Sequence, residues 1–313
     1  MKLYISSILT LILMSFLFES CTDSKANQQP VIPAFPEIAL SEKDAYWNAG
    51  KAEITSYSLE QARYGEIRNG EAVMVFVTEP FSISKQVKLD NPNEVSNDKR
   101  DILKLNFTRK FLTGIYPYSV ETSVFLPYNQ GASRQEAVKF NNTVQEWCGH
   151  TFTQFNQQKD HYNWVQYSYF ESEGDHSGEI KDAIPEDELW TLIRMSPDKL
   201  PVGDFNALPG LHFLRFSHEE IKSYPAAGKL ENTPGGKVAY SIHYPHNNRM
   251  LSITFNAAFP YEIESWEETY RDGWGERAAV LTTRGTKKAR IMDDYWNHHA
   301  NQDSTFRNML KMN

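Results

Sequence analysis

Lys237-Val238-Ala239-Tyr240-Ser241-Ile242-His243-Tyr244, followed across His246-Asn247-Asn248-Arg249 by Leu251-Ser252-Ile253-Thr254-Phe255, is the stretch that decides the fold. Val238, Tyr240, Ile242 and Tyr244 alternate with Lys237, Ala239, Ser241 and His243, and only a strand has that period of two. Leu251, Ile253 and Phe255 continue the apolar face beyond the turn, while Ser252 and Thr254 point the other way. The pattern predicts an antiparallel hairpin that covers a core with one face.

Outward from it the same signals recur. Tyr261 to Arg271 and Ala278 to Lys287 read as strands. Upstream, Ile102 to Leu112, Pro117 to Leu126, Gln135 to Phe140, Thr143 to Phe155 and His161 to Glu171 read as a meander. Lys51 to Glu66 and Glu71 to Thr78 flank Arg68-Asn69-Gly70, where Asn-Gly supplies the positive φ angles of a tight hairpin turn. Asp90 to Arg100, polar and containing Pro92, reads as a loop. Helical signals are few. Ser41 and Asp44 predict a cap for a short helix through Trp47, stopped by Gly50. Pro185, then Glu186, Asp187 and Glu188 near the positive helix end, with Leu189, Leu192 and Ile193 on one side, predict a helix ending before Pro197. Ser304 predicts a cap for a C-terminal helix. The fold class expected is mainly β: an antiparallel curved sheet, an open barrel or a sandwich, with a few short helices. Tyr116-Pro117-Tyr118 and Phe259-Pro260-Tyr261 echo each other, which proline at strand starts and aromatics on pleated surfaces explain without a duplication.

At the N-terminus, Lys2 precedes an apolar run from Leu3 to Phe18, too short for a comfortable span and typical of a signal-peptide core. It ends in Phe18-Glu19-Ser20-Cys21, with a small residue directly before the cysteine, as lipoprotein processing requires. The reading is a signal peptide over 1–20, lipidation of Cys21, a flexible tether over 21–40 rich in polar residues and proline, and a β-rich envelope domain over 41–313. A division of that domain into two halves near 180–200 is left open. Thr22 rather than Asp follows Cys21, so the retention signal for the inner membrane is absent and the outer membrane is the expected location.

Of the 313 residues, 40% are hydrophobic and 13% aromatic, which is enough for a packed core. A net charge of −8 opposes polyanion binding, so nucleic acid is excluded as a partner. There are two cysteines, and lipidation of Cys21 leaves Cys148 without a disulfide partner.

Catalytic signatures are sparse. Cys148 and His150, in Gln145-Glu146-Trp147-Cys148-Gly149-His150, are the candidates for a thiolate–imidazolium pair. Along a strand such neighbours lie about 6–7 Å apart, beyond hydrogen-bond reach, so the expectation is a buried, packed thiol. Glu171, Glu173, Asp175 and His176 offer metal-ligand atoms without a metal-binding spacing, and a solvated acidic loop is the simpler reading. His298 and His299 are adjacent and cannot share a helix face. No phosphate-binding loop, dinucleotide fingerprint or hydrolase elbow is present, and no cofactor is expected. Trp147, Trp164, Tyr167, Tyr169 and Trp266 could stack on sugars or fill a core.

Four stretches carry a resemblance: Tyr46-Trp47-Asn48-Ala49-Gly50-Lys51-Ala52-Glu53-Ile54-Thr55-Ser56-Tyr57, Gly114-Ile115-Tyr116-Pro117-Tyr118-Ser119, Val144 to His150, and Ile263-Glu264-Ser265-Trp266. With them the chain resembles a family of uncharacterised lipoproteins of Gram-negative bacteria, some of whose members carry the label septum formation inhibitor Maf. Maf nucleotide pyrophosphatases are smaller cytoplasmic α/β proteins, so the resemblance implies an exported lipoprotein and carries over no functional residues. The leading expectation is a noncatalytic, lipid-anchored module binding an apolar ligand or a partner protein. A thiol enzyme using Cys148 and His150, or a structural part of an envelope complex, are the alternatives.

The anchor reading makes a direct prediction. Cys21→Ala removes the only thiol at the cleavage site, so the variant should incorporate no labelled palmitate and should leave the membrane fraction. Wild-type labelling of the variant would overturn it.

Overall fold

The computed structural model describes residues 33–93, 96–128 and 134–312. The expected signal peptide, the expected lipidation site Cys21 and the expected tether up to residue 32 lie outside the described residues. The strands are β1 (Ala52–Arg63), β2 (Glu66–Ser82), β3 (Val87–Lys88), β4 (Lys99–Thr113), β5 (Tyr116–Pro127), β6 (Lys139–Glu146), β7 (Gly149–Gln157) and β8 (Tyr162–Tyr167). They continue as β9 (His176–Ile180), β10 (Ile184–Pro185), β11 (Gly203–Leu208), β12 (Tyr224–Thr233), β13 (Lys237–Tyr244), β14 (Arg249–Asn256), β15 (Ile263–Asp272) and β16 (Ala279–Asp293). The helices among the described residues are α1 (Leu40–Trp47), α2 (Glu186–Met195), α3 (Leu211–Ser217) and α4 (Phe306–Met309).

All 16 strands belong to one curved, unclosed sheet. Its order runs from β10 through β11 to β16, passes to β1 and β2, and continues from β4 to β9, with β3 beside β2. Neighbours are antiparallel except the two-residue parallel pair β10–β11. The first and last strands therefore sit side by side, and the sheet is left open between β9 and β10, which follow one another in sequence.

The deciding hairpin forms in the expected register. Val238 faces Phe255, Tyr240 faces Ile253 and Ile242 faces Leu251, and the apolar side chains are all at most 2% exposed. They share one hydrophobic core with Leu189, Trp190, Leu192 and Ile193 of α2. The concave side of the sheet is occupied by α2. Trp190 meets Phe107 on β4 at 5.1 Å and Trp266 on β15 at 5.7 Å, so it touches strands on two sides of the curve. Every residue of α2 is buried, including its three leading acids. The one-sided amphipathic helix expected from Leu189, Leu192 and Ile193 is thus corrected to a helix without a solvent face.

Other local readings are corrected too. The first hairpin exists, but its turn is Tyr64-Gly65, with φ of 61° and 75°, and Asn69-Gly70 lies inside β2. Gly70 has a different task there: a Cβ on it would come within 2.2 Å of the Lys110 carbonyl oxygen on β4. Thr143 to Phe155 is two strands, β6 and β7, joined at Trp147-Cys148, and the stretch from Gln135 enters a strand only at Lys139. The strand expected from His161 to Glu171 ends at Tyr167. α1 begins at Leu40 with no side-chain cap, so Ser41 and Asp44 are inside it, and Ser304 likewise caps nothing.

Strand direction alternates, so the β1–β2, β4–β5, β6–β7, β8–β9, β13–β14 and β15–β16 turns share one end of the curve, here the turn end. α2 starts near that end, where Glu186 meets Arg249 at the start of β14, and finishes at the far end, where Arg194 meets Glu53 at the start of β1.

Close packing against one glycine gives a stability test. Gly285 on β16 faces Trp266, and a Cβ there would lie 2.1 Å from the indole, which is itself 2% exposed and contacts Tyr57, Phe107 and Trp190. Gly285→Ala should cost about 1–3 kcal/mol through overpacking, read by urea unfolding of the lipid-free domain. An unchanged midpoint would show that the indole can move aside.

Candidate functional site

Three clefts open at the turn end: hairpin turns contribute to all of them, and α3 to the first two. The first, of about 420 Å³, is bounded by Trp164, Gln166 and His176 from the β8–β9 region and by Arg215, His218 and Glu219 at the end of α3. The second, about 280 Å³, lies between Phe213 and Phe216 of α3 and the β15–β16 turn at Asp272, Gly273 and Trp274, with Glu219 also on its wall. The third, about 440 Å³, is walled by Tyr64, Arg68, Tyr116, Trp274 and Arg277. The first and second share Glu219, and the second and third share Trp274.

The rim around these clefts is rich in exposed apolar side chains. Ile67, Leu112, Ile115, Trp147, Tyr169 and Trp274 are each at least 40% exposed, and Ile115 reaches 82%. Ring contacts run along the rim: Trp147 to Tyr116 at 6.3 Å, Tyr116 to Tyr118 at 5.9 Å, Tyr64 to Trp274 at 5.6 Å and Trp274 to His218 at 5.9 Å. Asp272 accepts a hydrogen bond from the Gly65 N–H at 2.6 Å, tying two of the turns together.

Helix α3 has seven residues, too few to be stable by itself. Buried polar contacts hold it. The Leu211 N–H donates to Asp187 at 2.9 Å, and His212 Nε2 pairs with Glu268 at 3.1 Å. At the other end, Arg63 donates to the Phe216 carbonyl at 2.9 Å, a cation at the negative end of the helix. Arg215 pairs with Glu173 at 3.2 Å, and His218 pairs with the same carboxylate. The guanidinium of Arg249, 0% exposed, bonds Glu186 at 2.6 Å and Glu268 at 2.7 Å and lies 4.2 Å from the Phe213 ring centre.

The electrostatics follow burial and pairing. Burial opposes ionisation of Glu268, but Arg249 and His212 outweigh it and hold its carboxyl well below the usual range. His212 is held low by burial and by nearby Arg109, and its Nδ1 has no hydrogen-bond partner. Arg109 lies 3.7 Å from the Phe107 ring centre, its Nη1 is unpartnered, and burial brings its pKa down to about 10. Burial, aided by Glu186, pushes Asp187 up to about 7 against the Leu211 N–H and the two arginines. Glu173 is held low: His218 and Arg215 outweigh its burial.

The candidates read from the sequence fall as follows. Cys148 is exposed in the β6–β7 turn, which corrects the expected buried strand thiol. The physical reason is that Trp147-Cys148 supplies no proline or glycine to announce the turn, and only Gly149 follows it. His150 is exposed at the start of β7, opposite Gln145. Glu146, by hydrogen bonding and charge, pushes the Cys148 thiol up, the opposite of an activated nucleophile. Glu171, Asp175 and His176 are exposed, while Glu173 is committed to Arg215 and His218, so the four do not converge as ligands. A different trio, Asp293, Asp294 and His298, comes together at the end of β16, with His298 Nδ1 2.8 Å from Asp293. Trp147, Tyr167 and Tyr169 are exposed, Trp164 is half-buried on a cleft wall, and Trp266 is core. The sequence reading missed α3, Arg249, Arg109 and Trp274. Of these, Trp274 had a signal, a large aromatic between Gly273 and Gly275 in a turn.

Comparison with protein-family models, with curated proteins and with solved structures found no match to this chain.

Asp187 couples the support of α3 to pH. Its folded-state value of about 7 exceeds the ordinary unfolded value of about 3.9, so its share of stability is complete below about pH 4 and is lost as pH rises through about 7. Asp187→Asn keeps an acceptor for the Leu211 N–H and cannot ionise. The melting temperature of the variant should therefore gain on wild type between pH 5 and pH 8. Parallel pH profiles for the two proteins would contradict the shift.

Proposed function

We propose that this chain is a noncatalytic, lipid-anchored envelope protein that receives its ligand at the turn end of the sheet. The observation that carries the reading is the set of adjoining clefts under an exposed aromatic rim. An apolar ligand held against the Val238–Phe255 hairpin is disfavoured, because those side chains pack into the same core as α2. A thiol enzyme is disfavoured by the raised Cys148 pKa. The Ser168 hydroxyl donates to the Glu173 carboxylate at 3.2 Å and not to the imidazole, and among the described residues no serine or cysteine side chain hydrogen-bonds the His218 ring as a nucleophile would.

The way the chain enters the domain supports the same end. Phe35 packs on Phe255 and Tyr261 at the far end, and β1 starts there. The twelve residue-to-residue steps from Cys21 to Pro33 reach at most ~40 Å. An anchor at Cys21 therefore favours holding the far end toward the membrane and presenting the rim to the envelope space.

The proposal is tested with Cys148 itself, the free thiol beside the rim. A photoactivatable maleimide on Cys148 in intact cells should give a discrete adduct. The same reagent on Asn232→Cys, at the far end of β12 in a Cys148→Ser background, should give little. Adducts of equal yield from both positions, or from Asn232→Cys alone, would overturn the reading.

A further inference from the structure

Resting on the turn end as the binding face, we propose that the three clefts form one continuous groove for an extended oligosaccharide. Continuity comes from shared walls: Glu219 joins the first cleft to the second, and Trp274 joins the second to the third. A groove made this way suits a chain of repeating units better than a single compact molecule.

The lining sets the ligand class. Each cleft combines an aromatic side chain with groups that donate and accept hydrogen bonds. Trp164 stands beside Gln166 and His176 in the first, Trp274 beside Asn247 and Asp272 in the second, and Tyr116 beside Arg68 and Arg277 in the third. A sugar ring presents a C–H face to an aromatic ring and hydroxyls at its edge to such groups. A lipid chain would leave these polar side chains unpaired on desolvation. Polyanions are disfavoured, because Glu66, Glu219, Glu220 and Asp272 stand among the arginines.

Several donors are uncommitted. His176, Arg271 and Arg277 make no side-chain hydrogen bond among the described residues, and each lines a cleft. On the wall of the first cleft, Arg215 is 10% exposed at its side chain, and its Nε has no partner although Nη1 bonds Glu173. The backbone also makes room for one platform. Trp164 lies across Gly178 on β9, where a Cβ would come within 2.8 Å of the indole, while Phe155 stacks on it at 6.3 Å between ring centres.

Binding is read by calorimetry and tryptophan fluorescence on the lipid-free domain, using an array of bacterial and plant glycans followed by purified mono- and tetrasaccharides of the best series. A tetrasaccharide should bind and its monosaccharide should bind far more weakly. Trp274→Ala removes a side chain that is 56% exposed, so it should melt like wild type yet lose about five- to tenfold in affinity. Gly178→Val, which displaces Trp164 without deleting a polar group, should lose a similar factor, and circular dichroism checks that it is folded. Equal affinity for mono- and tetrasaccharide would overturn the joined groove. Wild-type affinity in both variants would overturn the aromatic platforms. If no glycan binds, or a peptide library binds instead, the saccharide assignment falls, while the Cys148 adduct separately decides whether the turn end is the binding face.

Discussion

The guanidinium of Arg249, shared between Glu186 on α2 and Glu268 on β15, is the interaction on which the rest of the structure depends. All three groups are at most 3% exposed at their side chains. Removing either partner from such a contact leaves an uncompensated charge in the interior, a loss of about 3–5 kcal/mol. The pairing joins the start of the internal helix to the sheet on one side. It also leaves Glu268 a second oxygen for His212, so the same carboxylate helps to fix α3.

A matching clamp holds the other end of α2. Arg194 donates to both carboxylate oxygens of Glu53 and to the Pro260 carbonyl, while stacking 4.9 Å from the Phe76 ring centre and 5.2 Å from that of Trp47. Acids lead α2 and an arginine ends it, so both clamps also agree with the helix dipole. A helix buried on all sides has no solvent face to set its rotation. Directional ion pairs at its two ends set that rotation where hydrophobic burial, which has no direction, would not. The filled interior in turn explains how the sheet can remain unclosed. Its bordering strands are short, five residues in β9 and two in β10, and β10 ends in Pro185, which has no N–H to offer a further strand.

The strands of this fold were legible where one face is buried and the other solvated, because alternation then appears in the sequence itself. The hairpin from Lys237 to Asn256 is such a case. Turns were legible only when their residues advertise them. Tyr64-Gly65 and Trp147-Cys148 do not, and Asn69-Gly70, which does, serves a close approach between strands instead. The buried charges were illegible for a different reason. Glu186 and Arg249 are 63 residues apart, and an acid in a first helical turn looks the same whether it faces water or a buried guanidinium. Arg249 was read as a turn residue because it follows His246-Asn247-Asn248, yet it is 0% exposed. The candidate site was legible only in its aromatic content, since its walls come from turns more than 200 residues apart, as with Tyr64 and Trp274.

Core and site are therefore one construction. A short helix such as α3 takes its position from tertiary contacts, and those contacts are the carboxylates of Asp187, Glu268 and Glu173 and the guanidinium of Arg63. Phe213 and Phe216 face the second cleft from the helix that these charges hold, and Arg215 and His218 face the first. Replacing the network by apolar side chains could keep the sheet folded, as buried ion pairs elsewhere allow. It would remove the directional bonds that choose one orientation of α3, and with them the shape of the clefts. The buried charges are thus better understood as specifying the turn end than as stabilising the sheet.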